Sequence, residues 1–407
     1  MDPILIIGGG LAGLACALRL QEAGRRSQIL EASDAVGGRV RTDALDGFLL
    51  DRGFQVFLDA YPQAGALLDL PALDLRPFKP GALVHLDDRF HRVMDVFREP
   101  RHLIGSALAP IGTLGDKLRV AALKWRLGRS SSPAQHTDLS TADYLAQAGF
   151  SPRMIDVFFR SFYGGIFLER DLRTSSRMFE FTFRMFSRGS ATLPARGMGE
   201  IPRQLAAKLP AESIRCGTRV VEAHPRGVTL ASGERLAGDA VVIATDANTA
   251  ALLLPASDSS PLSWRGVTGI HFAADRSPLR EAIIALDGSG RGLVNNLCVP
   301  SDVAPNYAPP GQSLIFATVL GTADEQNLET RVRGELATWF GPEVHSWRHL
   351  RTDRIPYALP EQAPSNIPAP GFRERDGILV CGDHLATASI EGAIHSGLRA
   401  ADHLLGR

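Results

Sequence analysis

The 407-residue chain is short of several features that would place it in common classes. Of its 44 basic residues only Lys79, Lys117, Lys124 and Lys208 are lysines, and none follows Lys208. The 44 acidic residues balance the basic ones, so net charge favours neither a nucleic acid nor a strongly acidic partner. Its four cysteines, Cys16, Cys216, Cys298 and Cys381, lack C-x-x-C spacing. That excludes a disulfide framework or a cysteine metal site and reads as buried, reduced thiols in a cytosolic protein; no metal is expected. No apolar run approaches the roughly 18 residues needed to cross a bilayer. With a first strand opening at residue 4, no secretory signal is expected, and the expected location is cytoplasmic, with peripheral membrane contact left open. The length suggests two or three domains, at about 100 to 200 residues each. Nothing in it fixes an oligomeric state.

What is present begins at once. Ile4 to Ile7 is a short apolar run, the pattern of a parallel strand buried on both faces. Gly8, Gly10 and Gly13 follow as G-x-G-x-x-G. The first suits a tight turn, the second lets backbone approach a pyrophosphate, and the third lets helix and strand pack closely. Leu11, Leu14, Ala15 and Leu18 then recur at helical spacing, and Gly24 suits the position past the helix end. Amides around Leu11 and Ala12 would face phosphate at the positive helix end. A second strand, Ser27 to Leu30, ends in Glu31, near the roughly 20-residue spacing at which an acid binds ribose hydroxyls. Strand, helix and acid in register predict a bound dinucleotide.

Glu31-Ala32 followed by Gly37-Gly38-Arg39 and Thr42, directly after the glycine motif, resembles the start of the flavin-dependent amine oxidase, protoporphyrinogen oxidase and phytoene desaturase superfamily. The overall look is nearest its phytoene desaturase-like branch. The resemblance implies FAD, with Gly37 and Gly38 under it and Arg39 near the pyrophosphate. Asp46 to Phe57 resembles the next family segment, with Asp51 and Gly53 where the chain passes the flavin. Leu193 to Ile201 resembles a segment that opens a helix, and a strand valine that contacts adenine through its backbone maps onto Val220 or, after a one-residue slip, Val221. Asp353 to Pro360 resembles a wall beside the flavin, which makes Tyr357 a pocket candidate; a tyrosine with its hydroxyl in water is the alternative. At the far end, Gly382-Asp383 and Glu391 to Gly397 resemble the closing motif. There the aspartate binds the ribityl and phosphate region, and the helix start at Gly392, Ala393 and Ile394 lies under the flavin.

The implied fold class is α/β, a discontinuous Rossmann-like FAD-binding domain (1–60, 190–250 and 371–407) with an α+β substrate domain carrying a mixed sheet and a helical cap (61–189 and 251–370). Within the cap, Ala82 to Met94 reads as a hairpin around Asp87-Asp88, and Pro100 to Gly128 as basic and helical. A solvated basic face or a membrane-surface helix would both account for the latter. Arg129 to Pro133 reads as a loop, and Pro300 to Pro310 as a proline-rich surface loop. Eight phenylalanines fall between Phe158 and Phe186. Phe158, Phe159 and Phe162 have helical spacing and Phe179, Phe181 and Phe183 alternate like a strand; either core or an apolar tunnel would use them. The implied chemistry is hydride removal from a C–H bond of an apolar or polycyclic small molecule. Amine oxidases of the family commonly carry a lysine in the second substrate-domain passage, which this chain lacks. Amine oxidation therefore stands as the alternative, and a non-catalytic protein like the Rab GDP-dissociation inhibitors as a second. His271, His384 and His395 are candidate bases or structural histidines.

Overall fold

The computed structural model describes residues 2–129, 137–254, 262–322, 326–365 and 369–407. Two sheets carry the architecture. The first has six strands in the order Ile214–Arg215, Ser27–Leu30, Ile4–Ile7, Ala240–Ile243, Ile378–Cys381 and Phe372–Arg375. Five run parallel, and only the Phe372–Arg375 edge is antiparallel. All four residues of Ile4–Ile7 and of Ile378–Cys381 are buried, as continuous apolar runs in a covered parallel sheet should be. Residues from both ends of the chain and from its middle thus meet in one sheet.

One face of this sheet is covered by the Leu11–Glu22 helix and the closing helix Ile390–Leu404, which pack on each other. They cross closely because Gly397 has no side chain: a Cβ there would lie 2.0 Å from the Ala12 carbonyl oxygen. The closing helix also anchors the Pro62–Leu67 helix, since the buried Glu391 carboxylate accepts the backbone N–H groups of Gln63 and Ala64 at 2.9 and 3.0 Å. Proline at the first helical position leaves these early amides without internal partners, and Glu391 supplies one.

The second sheet has seven strands in the order Arg348–Pro360, Trp264–Ala274, Ser313–Leu320, Val294–Cys298, Ile284–Asp287, Gly81–Leu86 and Arg89–Met94. It is mixed, with the Ile284–Asp287 and Gly81–Leu86 pair parallel. The expected hairpin is its edge, and Asp87 and Asp88 both take the left-handed backbone of a two-residue turn. Small antiparallel sheets, including Val220–His224 with Gly227–Leu230 and Arg235–Ala237, complete the framework.

Several local expectations are corrected. Phe179, Phe181 and Phe183 lie on a helix, Ser176–Arg188, capped by Ser175. Met178, Phe179, Thr182 and Met185 form its buried stripe at i, i+1, i+4 and i+7, so packing overrides the strand-like alternation. The phenylalanines of this region mainly fill core: Phe179 lies 4.7 Å from Tyr163, and Phe159 and Phe167 are fully buried. Pro300–Pro310 is no surface loop. Pro300 and Pro305 each start a short helical turn, and Val303, Ala304 and Tyr307 are buried. Cys216 is exposed, while the other three thiols are buried and free. Residues 130–133 of the expected loop lie outside the described residues.

Candidate FAD site

The turn after the first strand divides three glycines by task. Gly8 has φ +108°, and a Cβ on it would press the Ala244 carbonyl at 2.8 Å; a Cβ on Gly13 would lie 2.1 Å from the Gly8 carbonyl oxygen. Both serve tight packing. A Cβ on Gly10 would meet nothing within 4 Å, so the backbone there borders open space. Gly10 is also the N-cap of Leu11–Glu22, with no side-chain cap and no acid in the first turn. Some helices of the chain are capped by side chains, as by Ser140, Ser175, Asp246 and Ser389, whereas others, such as Glu200–Ala206 and Leu328–Phe340, are likewise uncapped but carry an acid in the first turn. The first amides of this one, at Leu11, Ala12 and Gly13, are left for an anion from outside. Leu11 and Ala12 have buried side chains, so backbone is all they offer.

The neighbouring loop closes one side of this space. Gly37 donates its N–H to the Gly9 carbonyl at 2.8 Å, and Gly38, at φ +58°, comes close to Gly10. Glu31 stands at the next corner. One carboxylate oxygen accepts from Gly9 N–H at 2.6 Å and the other from Ser33 at 2.8 Å, which fixes the acid beside the turn, with Ala32 following it. Thr218 donates its N–H to the Glu31 carbonyl, bringing the strand of Val220 alongside. The Val220 side chain is in the core with Ile7 and Leu30, and that of Val221 is exposed.

From Gly38 the chain passes to Arg39, whose guanidinium contacts Asp383 at 2.6 Å, donates to the Ala358 carbonyl at 3.0 Å and lies over the Trp264 ring at 5.4 Å. Two residues expected to serve one cofactor from opposite ends of the chain are therefore in contact. Gly382, at φ +154°, turns the strand into Asp383 and donates its N–H to Ser396 at 2.7 Å. Tyr357 stands half exposed beside Trp264, ring centroids 5.8 Å apart, and Gly53 packs against Ile355 of the same strand. At the closing helix Ser389 caps Gly392 N–H, and a Cβ on Gly392 would collide with the Thr387 carbonyl. Gly392 and Gly397 are thus explained by backbone approach. Ala393 is half-buried, and Ile394 belongs to the core.

His271 is not a base of useful strength. It is fully buried, and burial first, then the Arg351 guanidinium, lower its pKa to about 3. At neutral pH it is uncharged, and its approach to Asp353 at 3.7 Å is no ion pair. Burial also lowers the pKa of His384 and His395. His271 instead lines a small cavity, with room for about one water, together with Asp51, Gly53, Phe54, Tyr307 and Phe316. The hub of this cavity is Asp51, which the resemblance places where the chain passes the flavin; its partners were not foreseen. Asp51 accepts from Thr42 Oγ1, from Met198 N–H at 3.0 Å and from Tyr307 OH at 2.7 Å, joining three distant segments. Burial raises its pKa to about 6 in spite of those bonds. The aromatic hydroxyl comes from the stretch read as a loop, and nothing in its composition signals the contact. Trp264, under Arg39, was likewise missed.

A parallel sheet with an uncapped first helix, a ribose-position acid and an Arg–Asp pair at the far end defines a dinucleotide-binding oxidoreductase of the flavoprotein class. The open space at Gly10 beside free helix-end amides fits the pyrophosphate of FAD. The chain belongs to the flavin containing amine oxidoreductase family, whose model matches residues 11–405. It is an FAD-dependent oxidoreductase. It is 26% identical to hydroxysqualene dehydroxylase of Rhodopseudomonas palustris, across 98% of this chain and 97% of that protein. It is 25% identical to phytoene dehydrogenase of Streptomyces griseus, across 96% and 84%. Its fold matches an oxidoreductase from Methanosarcina mazei at a TM-score of 0.74, with 18% identity and both chains covered in full. Putrescine oxidase bound to putrescine matches at 0.69 and 17%, across 100% and 99%.

Asp383→Ala is expected to fold and to hold FAD about tenfold more weakly, because it removes a charged hydrogen-bonding partner from Arg39 and, in the role the resemblance implies for Asp383, from the cofactor. Flavin content after gel filtration checks this; an unchanged ratio refutes the role.

Proposed function

We propose that the chain removes hydride from a C–H bond of an apolar or polycyclic small molecule, as a desaturase or dehydrogenase. When bound, FAD supplies two-electron acceptance from such a bond. The observation that carries the reading is the wall toward Trp264 and Tyr357: it is aromatic and apolar, and the passage after Lys208 holds no lysine. The relatives named for phytoene and hydroxysqualene, both isoprenoids, support the same substrate class. In this reading Gly8 to Gly13, Glu31, Gly37–Gly38 and Arg39 hold the adenosine and pyrophosphate half. Asp383 holds the ribityl and phosphate region, and Gly53 and the start of the closing helix border the flavin. Val220 supports adenine through backbone, and Tyr357 bounds the substrate. The division of the chain into 1–60, 190–250 and 371–407 for cofactor and 61–189 and 251–370 for substrate belongs to the same reading. Residues near the reacting carbon orient it, since reacting atoms must approach to about 3 to 3.5 Å.

Anaerobic bleaching of the flavin absorbance against polyenes, porphyrinogens and amines tests the proposal. Reduction by an apolar substrate alone is expected. Reduction by amines alone overturns it in favour of amine oxidation, and a colourless protein that cannot be reconstituted with FAD overturns catalysis through flavin.

A further inference from the structure

The basic segment after the hairpin forms a short helix, Leu103–Leu108, and a longer one, Leu114–Arg129. An ordinary surface helix has one apolar stripe, turned inward. The longer helix here has two. Leu123 and Leu127, with the half-buried Val120, face the core that contains Ile111 and Tyr144. Leu114, Leu118 and Trp125, at i, i+4 and i+11, form a second stripe on the opposite side, and Ala122 continues it. On the shorter helix Leu103, Ile104 and Leu108 are exposed as well. These six side chains are 55% to 79% exposed, and Phe97 just before them is 66% exposed. Isolated exposed apolar residues need no explanation, but here six lie on two successive helices joined by Lys117, whose ammonium donates to the Ala107 and Ala109 carbonyls, and a set of that kind marks an interaction surface. Of the two readings of this segment, a solvated basic face does not describe its outward side, which is apolar with the cations flanking it.

On a helical projection, Arg119 and Arg126 border the outward stripe on one side and Lys117 and Lys124 on the other. Residues 97–129 contain seven arginines and lysines against two carboxylates, one of which, Asp116, is buried. This formal +5, which becomes +3 when the paired Asp95 and Glu180 are included, stands in a chain of net charge zero. Several cations also have protein partners: Lys124 pairs with Asp95, Arg126 with Glu180, and Arg101 with Glu99. Arg129 lies over the Trp125 ring at 5.3 Å, an aromatic and cation pairing suited to the level of lipid headgroups.

We propose that this two-helix face docks the enzyme on an anionic lipid surface, its apolar stripe in the headgroup and acyl boundary and its flanking cations on the phosphates. The occupant follows from charge. A second copy related by a two-fold axis would set one net-positive patch against another, which repels. No helix among the described residues is long and apolar enough to cross a membrane, so the contact is made in the plane of the surface. The proposal does not rest on the identity of the substrate, since lipid binding is read without turnover.

The test uses the full chain with FAD bound and sedimentation with vesicles of phosphatidylcholine, with and without phosphatidylglycerol. Binding to the anionic vesicles is expected, at least about tenfold stronger than to phosphatidylcholine alone and weakened by salt. The combined variant Ile104→Ser, Leu108→Ser and Leu118→Ser is expected to lose about tenfold or more in binding while keeping its flavin absorbance and melting temperature. Absence of wild-type binding overturns the proposal, as does equal binding by the variant. A concentration-dependent dimer that the same substitutions abolish, with no vesicle binding, would assign the face to a second copy instead.

Discussion

Replacing Gly10 with valine is expected to give a protein that folds normally and holds FAD at least about a hundredfold more weakly. Gly10 sits at φ −73° and ψ 179°, an extended conformation open to any residue, and its missing Cβ has no neighbour within 4 Å. Valine therefore strains nothing in the chain itself. Its side chain projects into the one part of the turn that the protein leaves open, where backbone must approach the pyrophosphate. Gly13→Ala provides the contrast. Its Cβ would lie 2.1 Å from the Gly8 carbonyl, so strand and helix must part, and stability and flavin should fall together. Titration of apoprotein with FAD alongside thermal unfolding separates the two cases. Wild-type affinity in Gly10→Val would mean that the pyrophosphate lies elsewhere.

These two glycines also show what was legible in the sequence. Local grammar fixes the turn: spacing, apolar runs and the acid at Glu31 specify strand, helix and strand without reference to the rest of the chain. The contact between Arg39 and Asp383 spans almost the whole chain, and only family resemblance linked the two residues to one cofactor. What stayed hidden depends on packing between distant segments. Phe179, Phe181 and Phe183 alternate as a strand would, yet the buried stripe of Met178, Thr182 and Met185 makes the segment a helix. Pro300 to Pro310 has the composition of a surface loop, but it is drawn inward to bring Tyr307 to Asp51. The outward face of Leu114–Arg129 was hidden for the same reason. Composition counts its apolar residues, and only the fold says that a second set of them faces away from the core.

Asp51→Asn is expected to remove a pH dependence of stability worth about 3 kcal/mol, the equivalent of a shift from 3.8 to about 6 at 1.36 kcal/mol per unit. Burial is the main cause, and the bonds from Thr42, Tyr307 and Met198 recover only part of its cost. Because folding raises this pKa, the native state favours the protonated acid. Its stabilising contribution is complete below about pH 4 and is lost as pH rises through about 6. Asparagine keeps the geometry without the charge. Its carbonyl can accept from Met198 and Thr42, and its amide can donate to the Tyr307 hydroxyl, which accepts as readily as it donates. Denaturant unfolding of both proteins between pH 4 and 7 should show the variant gaining on the wild type as pH rises. Parallel curves would mean that the Asp51 carboxyl does not titrate in that window. Asp51 shares its small cavity with His271, which is uncharged throughout this pH range and offers the carboxylate no counter-charge. Below about pH 6 the cavity therefore carries no formal charge, and above it the ionised Asp51 carboxylate is held there by the bonds from Thr42, Met198 and Tyr307 alone, which is why the wild type should lose stability in that range.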